Sequence, residues 1–162
     1  MTDTLRSICE QSTYLNNPRL DFIPDSLPRH KEIILRDLRE LVSVASGEHE
    51  KAVVVLAGSI LETVLCSFLK VREAQITALR GEEFTFPPKP GLQDYLNIFN
   101  KWFRNEFPSL QLRDDIVDYR HLVHFNRELE SPPGECGRAA RMLLRTVDAL
   151  LGELAQFGRA GA

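Results

Sequence analysis

Three cysteines, Cys9, Cys66 and Cys136, are odd in number, far apart and without a Cys-x-x-Cys spacing. They exclude a disulfide framework and a zinc knuckle, and they fit reduced thiols in a cytosolic setting. Glycine is also sparse, nine residues with no glycine-rich phosphate loop among them. Positive charge is not in excess: 20 Lys and Arg against 23 Asp and Glu leave a net charge of −3. Nucleic-acid contact therefore has to be local, because no global basic field exists to drive it. The N-terminus lacks the basic start and apolar run of a secretory signal. The longest apolar stretch, Val53 to Leu69, is interrupted by Gly58, Ser59, Glu62, Thr63 and Ser67. It falls short of the roughly 20 residues that span a bilayer and reads as a core helix. These absences lead us to expect a cytoplasmic protein with no membrane segment, no cofactor and no metal.

What the sequence does hold is helical periodicity. A chain of 162 residues, 43% hydrophobic and 27% charged, is long enough to bury a core of its own. Residues 1–27 have weak periodicity and proline punctuation and read as an N-terminal arm, with Thr4 to Leu15 as a candidate short helix. Pro28 suits the first position of a helix that carries Ile34, Leu38, Leu41 and Ala45 on one face and ends at Gly47. A second helix is expected from Glu48 to about Leu79, or a turn less, apolar on almost every side between Val53 and Leu69. Pro87, Pro88 and Pro90 mark a loop. Leu92, Tyr95, Leu96, Phe99, Trp102 and Phe103 make a third helix, and Leu110 to about Phe125 a fourth. After the Ser131-Pro132-Pro133-Gly134 turn, Ala140, Leu143, Val147, Leu150, Leu154 and Phe157 form the cleanest stripe in the chain. The fold class predicted is all-α: an up-and-down bundle of four to five helices over residues 28–158, with a disordered tail at 159–162.

The segment DDIVDYRHLVHFNREL, residues 114–129, carries the chemistry. Arg120 and His124 are four apart, so on a helix they share one face. Arg127 lies three further on and Arg113 seven before Arg120. An arginine offers a planar fork to phosphate, and a histidine donates or accepts a proton near neutral pH. Metal-independent RNA cleavage needs that combination: one group to move a proton, another to stabilise charge on the phosphorane. The plainer alternative is a solvated helix face, or a charged cluster tying helices together.

VLAGSILETVLCSFL on one helix, followed later by DYRHLVHFNREL, resembles the HEPN superfamily of bacterial and archaeal helical proteins. The resemblance covers roughly residues 30 to 157. It implies a four- or five-helix bundle that forms a homodimer through the face bearing the motif. It also implies, in active members, a metal-independent endoribonuclease of toxin–antitoxin, abortive-infection or other defence systems. On that resemblance Arg120 would bind and polarise the phosphate and His124 would transfer the proton, with RNA as ligand and a protein partner encoded nearby. Active relatives place four to six residues between this Arg and His; here there are three. The alternative function is a non-catalytic helical module for dimerisation or partner binding.

Glu62 stands on an otherwise apolar helix, sharing an edge with Gly58 and Cys66, and a carboxylate in such a place needs a partner. We expect it to pair with Arg120 or to hydrogen-bond His124, orienting the motif; a purely structural bridge explains the same residue. Cys66 itself reads as a small core residue. Arg138, Arg141 and Arg145 form a basic strip on the last helix, which with Arg113, Arg120 and Arg127 offers a phosphate-binding patch, or else an ordinary solvated face. Asp114, Asp118 and His121 share ligand types with divalent-cation sites, but no fourth ligand is fixed.

Overall fold

The computed structural model describes residues 3–110, 112–121 and 129–160, the side chains of 159 and 160 excepted. Among these residues the regular structure is all helical. In chain order the helices are α1 (Leu5–Gln11), α2 (Thr13–Asn16), α3 (Pro28–Ser46), α4 (Glu50–Lys70), α5 (Glu73–Arg80), α6 (Leu92–Trp102), a 3₁₀ turn (Arg104–Glu106), α7 (Asp115–His121) and α8 (Glu135–Ala160).

α4 is the hub. Val53, Val54, Ala57, Ile60, Leu61, Val64, Leu65, Phe68 and Leu69 are all buried, so no single partner helix can cover it. α3, α6, α7 and α8 pack around it. α4 has 21 residues and its most apolar 18-residue window has a mean hydropathy of 2.2, so by length and composition alone it is long and apolar enough to cross a membrane, where Val53–Leu69 was expected to fall short. Here 61% of its most apolar window is buried by its neighbours. At its lower end Phe68 meets Phe99, Phe103, Phe107 and Phe157 edge-on, with ring centroids 5.3 to 5.9 Å apart. Edge-to-face geometry suits the ring quadrupoles and locks α4 to α6 and α8.

The expected continuation of this helix to Leu79 does not occur. No Gly or Pro breaks it. Arg72 Nη1 donates to the Phe68 carbonyl at 2.6 Å, occupying the acceptor the next turn needs, while the Arg72 N–H moves to Leu69 at 2.9 Å. The guanidinium lies 3.8 Å over the Phe68 ring, a cation–π contact that holds the break in place. The fourth helix also starts later than predicted, at Asp115: Asn100 takes the Leu112 carbonyl at 2.9 Å, and the Ile116 N–H donates to Arg113 instead of Leu112. Leu110 and Leu112 are nonetheless buried, as is Ile116. Leu122 and Val123, the remaining predicted core positions there, lie outside the described residues.

The N-terminal arm is the largest correction. Leu5, Ile8, Cys9, Leu15, Leu20, Phe22 and Ile23 belong to the same core as α4. Two carboxylates from distant chain dock these short helices. Glu48 accepts from the Leu5 and Arg6 backbone N–H groups, both at 3.0 Å, and Asp148 accepts from Tyr14 at 2.8 Å and Leu15 at 3.1 Å. Each supplies the capping acceptor that a helix N-terminus needs. Tyr14 also lies on α8 at Gly152, where a Cβ would stand 2.7 Å from the ring.

Glu48 yields a pH prediction. The Arg6 backbone N–H holds its carboxyl below the ordinary value of 4.5; desolvation works against this, and the Leu5 N–H adds to it. A depressed folded-state pKa stabilises the fold above the unfolded value and loses that contribution as pH falls through the lower one. We predict that α1 loosens on acidification below about pH 4.5 and that Glu48→Gln weakens this acid dependence. Amide exchange at Leu5 and Arg6 across that range checks it; identical profiles in both proteins would contradict it.

Candidate functional site

Along α4, Gly58, Glu62 and Cys66 recur every four residues and so form one edge. Gly58 is buried, and Glu62 and Cys66 are half-buried. α7 crosses this edge. Arg120 Nη1 donates to Glu62 Oε2 at 2.5 Å, with the two side chains 38% and 31% exposed. The aliphatic stem of Arg120 lies across Gly58, so a Cβ there would stand 3.0 Å from Arg120 Cγ and 3.1 Å from Cδ. The glycine opens the groove and the carboxylate fixes the guanidinium. This is the partner expected for Glu62.

The other predicted residues divide. His124 and Arg127 lie outside the described residues. Arg113 contacts Asp115 at 3.1 Å, beside its own chain. The strip on α8 is largely compensated: Arg145 pairs with Asp3 at 2.7 Å, Arg138 pairs with Glu135, and Arg141 Nη1 and Glu50 Oε1 both crowd Gly137. The described arginines therefore do not form an open basic field. Among the described residues no group of three or more His, Cys, Asp or Glu side chains stands ready for a metal, Asp114, Asp118 and His121 included.

On the far side of Glu62 is a cavity of about 250 Å³ bounded by His30, Ile33, Thr63, Cys66 and Tyr95. His30 Nδ1 and Ser67 Oγ are 2.8 Å apart. Burial, then the nearby Lys70, lowers the His30 pKa below its ordinary 6.5, favouring the neutral ring. Burial raises the Tyr95 phenol pKa, and its hydrogen bond with Cys66 raises it further. Cys66 thus borders a cavity at the edge of the core. Sequence reasoning missed His30 and Tyr95 here. Tyr95 carried a signal, the one hydroxyl in a stripe of Leu and Phe; His30 carried none.

No family profile, curated protein or solved structure matches the chain.

Gly58→Ala tests the geometry. Alanine improves helix propensity by about 1 kcal/mol but pushes the Arg120 stem off its seat. We predict stability within about 1 kcal/mol of the parent, together with faster exchange of the Arg120 guanidinium protons than in the parent in NMR. Unchanged exchange of those protons would show that the glycine is not needed for the pair.

Proposed function

We propose that this chain is a HEPN-like helical protein that engages RNA through Arg120, as a metal-independent endoribonuclease or a nuclease-derived RNA-binding component of a bacterial defence or stress system. The Glu62–Arg120 pair over Gly58 is the observation that supports this reading. A carboxylate on the central helix holds the guanidinium in one orientation while the side chain keeps 38% exposure. A pre-oriented, partly exposed arginine is suited to meet charge that builds on phosphate during reaction. In such a reaction the RNA 2′-hydroxyl attacks the adjacent phosphorus and the 5′-oxygen leaves. Arg120 would stabilise the phosphorane, and His124, four residues on in sequence, would move the proton. Two chains pairing through this face would bring two sets of these residues to one cleft, so a homodimer is part of the proposal.

A second reading is a non-catalytic module that binds its own copy or a partner protein encoded nearby. It is favoured by the carboxylate partners of Arg113, Arg138 and Arg145, which leave little uncompensated charge for a nucleic acid.

Incubation with structured and unstructured RNA in the presence of a chelator separates the two. The first reading predicts cleavage that falls at least about a hundredfold in Arg120→Ala and His124→Ala with helical content unchanged. Absence of both cleavage and RNA binding at low salt supports the module. A monomer by sedimentation contradicts the two-chain cleft of the first reading and the self-pairing form of the second.

A further inference from the structure

The cavity of about 250 Å³ beside Glu62 lies where α3, α4 and α6 meet. It is smaller than the roughly 300 Å³ at which ligand clefts begin, so an occupant has to be small. Ile33, half-buried, gives it an apolar wall, and the Tyr95 hydroxyl is already engaged with Cys66.

Hydrogen-bond directions decide what the other side chains offer. Ser67 Oγ lies 2.7 Å from the Thr63 carbonyl, and Thr63 Oγ1 lies 2.9 Å from the Ser59 carbonyl. A carbonyl only accepts, so each hydroxyl proton lies on that short line. Ser67 therefore turns a lone pair toward His30 Nδ1 at 2.8 Å, and Nδ1 carries the ring proton. In the neutral ring, which burial and then Lys70 favour, Nε2 is left as an acceptor with no donor among the described residues. Thr63 Oγ1 keeps its lone pairs, and Glu62 gives Oε2 to Arg120 and keeps Oε1. An imidazole nitrogen, a hydroxyl oxygen and a carboxylate oxygen thus belong to three residues bordering one small space.

An anion would meet only lone pairs there, and a bare alkyl group would leave the acceptors unpaired. Among the described residues no group of three or more His, Cys, Asp or Glu side chains suits a metal ion. Arg120 already balances the charge of Glu62, and Lys70, which with Glu73 borders a separate space shared with Cys66 and Tyr95, adds positive charge nearby. Recognition therefore depends on directed N–H donors more than on net charge. A primary ammonium carries three of them.

We propose that this cavity binds the ammonium end of a small primary alkylamine, its N–H groups donating to Glu62 Oε1, Thr63 Oγ1 and His30 Nε2 and its chain lying against Ile33. A free amine and a lysine side chain both carry this group. The proposal goes beyond the RNA reading and does not require Arg120 to touch RNA.

The test is NMR titration of the full chain, read at the Ile33 methyl groups. The probes are n-butylammonium, tetramethylammonium, 1-butanol, butyrate and Nα-acetyl-lysine methylamide. n-Butylammonium should bind at least about tenfold more tightly than tetramethylammonium, which has the charge without N–H groups, and than 1-butanol or butyrate. Thr63→Val keeps the side-chain shape and removes one acceptor; it should weaken n-butylammonium by about threefold or more with helical content unchanged. Glu62→Gln should weaken it by about tenfold or more. Tighter binding of the lysine derivative identifies a lysine side chain as the source, and tighter binding of n-butylammonium identifies a free amine. The proposal is overturned if no probe shifts Ile33, if tetramethylammonium or 1-butanol binds as tightly as n-butylammonium, or if Thr63→Val and Glu62→Gln both leave affinity unchanged.

Discussion

An apolar helix in water has to be covered on every side, and α4 sets the rest of the structure by that requirement. Its Val, Ile, Leu and Phe side chains draw α3, α6, α7 and α8 around it, and burial of each large side chain contributes about 1.5–3 kcal/mol. Val55 on α4 stays 48% exposed, and a second departure is the edge marked by Gly58, Glu62 and Cys66. There the covering element is α7, which brings an arginine rather than another apolar stripe. A partly exposed carboxylate and guanidinium can meet there because the glycine lets the arginine stem lie close to the α4 backbone.

The same edge serves two spaces. Glu62 faces Arg120 on one side and borders the His30–Tyr95 cavity on the other. Of the arginines of α8, Arg145 is part of the anchoring of the N-terminal segment through Asp3.

Much of this was readable from residue order, and the reason is periodicity. Most stripe positions on α3, α6 and α8 are buried, Trp102 and Phe157 only in part, and the lone acid in an apolar helix pointed to a partner four residues before a histidine. What escaped the sequence depends on contacts across long separations or on side chains competing with backbone. Glu48 caps α1 from 43 residues away and Asp148 caps α2 from 134, so no local pattern could show that residues 5–23 belong to the core. The break after Lys70 comes from Arg72 taking the Phe68 carbonyl, which no glycine or proline announces.

The central claim is that Glu62 and Arg120 act as one unit joining α7 to α4. A double-mutant cycle measures it: urea denaturation of the parent, Glu62→Ala, Arg120→Ala and the double variant. The account predicts a coupling energy of about 0.5–1 kcal/mol, as for a partly exposed pair held in one geometry. Strict additivity, with each single variant losing stability independently of the other, would contradict it.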